Sequence, residues 1–399
     1  MNLTVPTTFT TRFLDTLQQL NRNYQDKAKI FEVYGAFQHG TFSSARPAKY
    51  LPQVDRDQFY DHVQQAAERD IKFNYLINSP CYANQEYSAD GRQALEELLG
   101  FLVESKVTSV TVTVPYLVEI IARRFPQLEI VVSTIAYVDT LRGIDQFVQA
   151  GADRIVINVD ANRDFTFLET AVRHSPVPIE LVANPVCLYQ CQYKYNHYAV
   201  AGHGSISDGL GCGSPYNQFY LNWCFLQKLA TPGDFLRSPW LRPEDLDLWR
   251  DSGIHYFKLA GRGQDDDSLT ALCNAYMSGR FDGNLLEIMG WPHWQAFRRS
   301  ADGTVLPELE ISIDNQGLDG FLAFFAEKRP NCRQGCQGCG HCDRWAKKVI
   351  EYSDDHLRKQ YLHNMEQSLT ALVEHVPTAR ESADLSKQWV QAANKQRLP

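Results

Sequence analysis

The feature that most restricts this chain is an alternation. Short runs rich in Val, Ile and Thr are each followed by a helical stretch, at nearly constant spacing. Ser109-Val110-Thr111-Val112-Thr113-Val114 ends at Pro115 and opens a helix from Tyr116 to about Arg124. Leu128 to Ser133 precedes a helix from about Asp139 to Ala150, and Arg154 to Val159 one from about Phe165 to His174. Ile179 to Ala183 is the sixth strand of the series. Upstream, Lys29 to Phe37 reads as the first strand and Phe73 to Asn78 as the second. Helices after these two start near Asp55 and Gly91. Continuous apolar strands alternating with amphipathic helices belong to a parallel sheet covered on both faces. With no G-x-G-x-x-G and no G-x-x-x-x-G-K-[ST] in the sequence, the repeat predicts a (β/α)8 TIM-like barrel over an open doubly wound sheet.

The remaining segments follow from that frame. Residues 1–28 are read as a polar, helical lead-in and residues 29–289 as the barrel. Ile254 to Leu259 supplies a seventh strand ending in Ala260-Gly261-Arg262, and Glu310 to Ile313 is the candidate eighth. The helix from about Asp266 to Met277 is expected to bury Cys273. Residues 290–345 form a cysteine-rich module and residues 346–399 a C-terminal helix and tail, the charged helix running from Asp343 to about His375.

Charge and cysteine use narrow the function classes. A formal net charge of −8 over 399 residues argues against a nucleic-acid partner, since such binding relies on Lys and Arg neutralising phosphates. No apolar run reaches the ~20 residues of a membrane helix, so no membrane partner is expected. The start, MNLTVPTTFTTRF, lacks a basic segment followed by an apolar core. Ten cysteines without a secretion signal point to reduced thiols in a cytoplasmic protein, used as ligands or in packing.

Two cysteine sets carry the chemistry. Cys187-x₃-Cys191 follows the sixth strand directly, where barrel active sites are built, and Cys212 and Cys224 come after it. Cys224 lies in a helical segment and could be a core residue, with Cys81 able to replace it or Cys212 as a ligand. The second set, Cys332-x₃-Cys336-x₂-Cys339-x₂-Cys342, packs four thiols among glycines, which has little use as core. Zinc suits four thiolates, but the compact run is close to the reverse of a bacterial ferredoxin spacing, so iron–sulfur weighs above zinc. His39, His197 and His203 each follow a strand, and His203 gains weight from flanking glycines that permit close approach of a ligand. Asn78, Asn158 and Asn184 close their strands with amides suited to a small polar substrate. Arg262 could grip a carboxylate or phosphate, or bridge the barrel rim. Hydrolase signatures of the G-x-S-x-G and H-E-x-x-H kinds are missing.

At these residues the chain resembles peptidase family U32, the collagenase-like peptidases. The likeness rests on Asn184-Pro185-x-Cys187-x₃-Cys191, on His203-Gly204-Ser205 and on Phe257-Lys258-Leu259-Ala260-Gly261-Arg262, with Ala260 where that family usually has an acidic residue. It spans roughly Lys29 to Leu286. The resemblance implies a [4Fe-4S] cluster and oxygen-independent hydroxylation or a related redox change of a small molecule or nucleobase. Cys187, Cys191, Cys212 and Cys224 would be the cluster's ligands, with His203, His39, Asn184 and Arg262 as catalytic candidates. An electron-donor protein and a related U32 partner subunit would follow. Cys332, Cys336, Cys339 and Cys342 would hold a second cluster or zinc. The alternatives are a collagenase-like peptidase and a zinc-stabilised non-enzymatic or RNA-binding subunit.

Overall fold

The computed structural model describes residues 1–37, 40–46, 51–206, 215–289, 305–336 and 338–374. Eight parallel strands close into a barrel in sequence order. They are β1 (Asn2–Pro6), β2 (Lys29–Gly35), β3 (Lys72–Ile77), β4 (Ser109–Val112), β5 (Glu129–Val132), β6 (Arg154–Val156), β7 (Ile179–Val182) and β8 (Tyr256–Lys258). Helices α1 (Thr11–Asn23), α2 (Arg56–Glu68), α3 (Ala89–Glu104), α4 (Pro115–Arg124), α5 (Leu141–Ala150) and α6 (Phe165–His174) each return the chain to the next strand. Their starts are capped as the sequence suggests. Asp55 and Gln58 form a reciprocal capping box on α2, and Pro115 opens α4.

The lead-in reading of residues 1–28 is corrected here. Asn2–Pro6 is a strand paired with both β2 and β8, so it is the one that closes the barrel; α1 then covers it. Leu3 and Val5 are fully buried on one face and Thr4 is fully buried on the other, so only Asn2 of this five-residue strand is partly open to solvent. Ile311–Ile313 is correspondingly not the eighth strand. It is β9, antiparallel to β10 (Ile350–Tyr352).

Between β7 and β8 the return is longer, made of α7 (Lys194–Ile206), α8 (Pro215–Ala230), α9 (Gly233–Arg237) and α10 (Asp247–Asp251). After β8 come α11 (Asp266–Ser278), which buries Cys273 completely, and α12 (Leu285–Ile288). The C-terminal part holds β9, α13 (Ala323–Lys328), α14 (His341–Val349), β10 and α15 (Asp355–Glu374). The continuous helix expected from Asp343 is thus cut by a strand. Ile350-Glu351-Tyr352 pairs with β9, and the Asp354 carboxylate then accepts from the Leu357 amide to start a new helix. This part is tied to the barrel by charge. Arg242 reaches Asp319 at 2.6 Å, Arg329 reaches Glu169 of α6 at 2.6 Å, and Arg237 of α9 pairs with Asp343 of α14.

Inside the barrel the period-two alternation carries polar residues as well as apolar ones. Arg154 of β6 donates to both oxygens of Glu32 on β2, at 2.7 and 2.6 Å. Ser109, Asn74 and Thr4 donate to the same carboxylate at 2.8, 3.2 and 3.3 Å. Burial alone would raise the Glu32 carboxyl, but Arg154 and Lys258 hold it below the ordinary carboxylate range. Above this layer Val131, Val156, Val159 and Val182 form a small apolar cluster of their own, with Ala260 against it. Among the described residues no helix is long and apolar enough to cross a membrane.

Candidate functional site at the barrel mouth

The carboxyl ends of the strands open into a cavity of about 1160 Å³. Its floor is made by inward residues of the strands themselves: Tyr34, Leu76, Thr111, Val156, Val182 and Lys258. Arg46, Arg262 and Cys187 line it higher up, and the exposed carboxylates Glu287, Glu308, Glu310 and Glu351 stand on the C-terminal side. Cations therefore face the cavity from within the barrel while the acids stay in solvent.

Strand-end residues position one another. Asn78 accepts from the Ala45 amide and donates to Ser133, while Thr113 donates to the Asn78 carbonyl at 2.9 Å. Asn158 is held by Asp139 and the Asp160 amide. Asn184 donates to the carbonyls of Ala260 and Ile288, both at 2.9 Å, and accepts from the Ala260 amide at 2.6 Å. Its amide fixes the ends of β7 and β8 while the residue also lines the cavity. Gly261 turns the chain at φ +154°, where a Cβ would come within 2.9 Å of both Gln264 and Leu269. Arg262 follows, donating to Ser44 at 3.0 Å and accepting from Arg46 on its carbonyl.

The thiols fall into three neighbourhoods. Cys187, just past β7, lines the cavity, and its Sγ lies 3.9 Å from the Tyr198 hydroxyl. Cys191 and Cys224 of α8 lie close enough for their charges to act on one another and for Cys187 to act on both. Burial pushes the Cys224 thiol up to about 11, the Lys228 ammonium opposing and the thiols of Cys187 and Cys191 reinforcing it. Cys81, which follows β3, belongs elsewhere: its Sγ is 3.3 Å from Nε2 of His203 on α7. Gly202 allows that approach, since a Cβ there would sit 2.2 Å from Ser79 Oγ. His39 and Cys212 lie outside the described residues.

Cys332, Cys336 and Cys342 surround a small cavity of about 50 Å³ together with Arg163 and Tyr189. Tyr189 comes from the loop between Cys187 and Cys191, so that loop lies between the two cysteine sets. Cys339 is exposed, and its charge acts on Cys332. Burial pushes Cys342 up to about 12 despite Arg163 and Arg237 nearby. His341 in the same run is a packing residue, stacked on Phe324 at 3.9 Å with its Nε2 at 3.1 Å from the Phe321 carbonyl.

In donor chemistry both sets suit a thiophilic centre: soft sulfur ligands, little oxygen and partial burial. In geometry they are open. Among the described residues no three His, Cys, Asp or Glu side chains converge closely enough to hold a metal ion. The residue that sequence reasoning passed over is Lys258. It stood within the Phe257–Arg262 run, but as a strand residue; its register with Val182 of the apolar layer appears only once the barrel closes.

Residues 17–169 match the description "Peptidase family U32", a stretch that ends before Cys187. A Methanocaldococcus jannaschii protein described as an uncharacterized protease is 25% identical over 340 residues, covering 85% of this chain and 93% of that protein. Among solved structures, the U32 peptidase Mk0906 is 20% identical with a TM-score of 0.45, covering 54% of this chain and 83% of that one. A FabK mutant from Thermotoga maritima is 8% identical with a TM-score of 0.32, covering 94% and 93%. The family match over residues 17–169 and the relative aligned along most of its length make the chain similar to the U32 peptidases.

Proposed function

We propose that the chain is an iron–sulfur enzyme acting on a small molecule in the mouth cavity, by oxygen-independent hydroxylation or a related redox change. The observation that carries this reading is Cys187, which lines the cavity and also acts electrostatically on Cys191 and Cys224. Those three thiols, with Cys212 as the fourth, would hold a [4Fe-4S] cluster, and such a cluster supplies single electrons at a potential set by burial and hydrogen bonding.

The chain's own residues do the rest. Arg262 and Arg46 offer guanidinium groups to an anionic part of the ligand. Ala260 joins the valine cluster, giving an apolar wall where the family usually places an acid, and that wall excludes water from the ligand's other side. Tyr198 lies against Cys187 and restrains its sulfur. Substrate, electron-donor protein and a related partner subunit belong to the same proposal, as does a second cluster or zinc at Cys332, Cys336, Cys339 and Cys342. Protein purified under argon is expected to be brown, to absorb near ~400 nm and to carry more than about three irons per chain. Colourless protein with stoichiometric zinc would overturn this reading.

A peptidase reading is favoured by a separate observation, the 3.3 Å contact between Cys81 and His203. A thiol beside an imidazole is the pair from which a thiolate nucleophile and its base are made. The M. jannaschii relative described as a protease points the same way. The two readings part on mutation. Peptide hydrolysis lost in Cys81→Ala but kept in Cys187→Ser supports a peptidase, whereas a redox activity lost only in Cys187→Ser supports cluster chemistry.

A further inference from the structure

Lys258 is a cation that the barrel does not pair. Its side chain reaches the floor of the mouth cavity from β8. Among the described residues it makes no side-chain hydrogen bond or ion pair; its nitrogen rests over the Tyr34 ring, 4.1 Å from the centroid. The groups facing it are Glu180 of β7, Glu32 and Tyr34 of β2, Arg154 of β6 and Arg262 beyond its own strand. Glu32 is committed to Arg154. Glu180 is different. It is fully buried, and among the described residues neither carboxylate oxygen has a hydrogen-bond partner, its cation being Arg154 at 3.7 Å. The cavity thus has an amine without an ion pair at its floor, a carboxylate without hydrogen bonds behind it and two guanidinium groups above it.

We propose that Lys258 is a nucleophilic, substrate-contacting residue that condenses with the carbonyl group of a small oxo acid, whose carboxylate is held by Arg262 and Arg46. Glu180 takes the ammonium proton, and the freed lone pair forms the N–C bond. The carbonyl π pair moves to oxygen, which takes one proton from the newly bonded nitrogen and one back from Glu180 and leaves as water, while the nitrogen lone pair closes the C=N bond of a protonated imine. No oxidant or reductant is involved. A buried lysine next to other cations is the usual setting for such an amine. Burial, with Arg154 and Arg262 adding to it against Glu180 and Glu32, brings Lys258 down to about 8. At neutral pH its neutral share exceeds that of an ordinary lysine by on the order of a hundredfold.

The proposal rests on the mouth cavity as the reaction chamber but not on the iron–sulfur reading, because its test reads mass alone. Full-length protein is incubated with pyruvate and sodium cyanoborohydride, which delivers hydride to an imine carbon, and adducts are mapped by peptide mass spectrometry. Labelling of Lys258 is expected at least about tenfold above that of exposed lysines. Acetaldehyde in place of pyruvate should label it less, and Arg262→Gln should remove that difference. Lys258→Met, checked for folding by circular dichroism, should lose the adduct. Adducts spread evenly over surface lysines, or unchanged in Lys258→Met, would overturn the proposal. Mapping on the unaltered chain decides even if the variant does not fold, and the iron content of the same sample tests the cluster separately.

Discussion

The charged layer inside the barrel and the thiols at its mouth are both polar and mostly buried, yet they are finished to different degrees. Glu32 accepts from Arg154, Ser109, Asn74 and Thr4, so its desolvation is met by side chains of the same barrel. Cys187, Cys191 and Cys224 have thinner support: a tyrosine hydroxyl at 3.9 Å, backbone hydrogen bonds at Tyr193 and Leu188, one another's charge and a buried lysine. A polar group satisfied within the fold contributes to the fold, while one left open needs something from outside. The contrast separates scaffold from chemistry in this chain.

Breaking the finished layer should have the largest effect. Arg154→Met leaves Glu32 and Glu180 buried without their cation, and a loss of about 3–5 kcal/mol is expected in urea unfolding. Burial alone would lower the Arg154 guanidinium, but Glu180, Glu32 and Glu129 hold it above its ordinary value, so no pH change would neutralise it first. A variant as stable as the parent would mean that the layer is not load-sharing.

The same layer predicts an acid limb. Glu32 is held below its ordinary value of 4.5, so its contribution is complete above that pH and is lost as pH falls through the lower folded value. Thermal midpoints measured from pH 7 to pH 3 should stay level with respect to this group, then drop below about 4.5. The drop should be shallower in Glu32→Gln.

The open thiols should show the opposite balance. Single Ser substitutions at Cys187, Cys191 or Cys224 in metal-free protein are expected to change stability by less than about 1 kcal/mol, because each thiol makes only an isolated hydrogen bond that a hydroxyl can also make. A loss of several kcal/mol in unfolding of Cys187→Ser without metal would make that cysteine part of the scaffold.

Much of this difference could be seen in the sequence, and the rest was hidden for physical reasons. Strands β2 to β8 announced themselves through β-branched runs and the helices that follow them. Asn2–Pro6 did not, because five residues with two polar positions carry too little pattern until β8 and β2 pair on either side. Ile311–Ile313 looked like the missing strand because alternation alone does not say which sheet a strand joins. The thiols were legible from spacing, and the position of Cys187 after β7 was legible from the strand before it. The contact between Cys81 and His203 spans 122 residues and leaves no local trace. The exposure of Lys258 to the cavity, like the lack of hydrogen bonds to the Glu180 oxygens, depends on the closure of the barrel, which no window of sequence contains.

The most direct test of the open mouth is iron and acid-labile sulfide per chain, measured under argon in the parent, in Cys187→Ser/Cys191→Ser and in Cys332→Ser/Cys342→Ser. The account predicts that the first double variant loses roughly four irons and the sulfide that goes with them, whatever happens in the second. Equal iron in the parent and in Cys187→Ser/Cys191→Ser would contradict it.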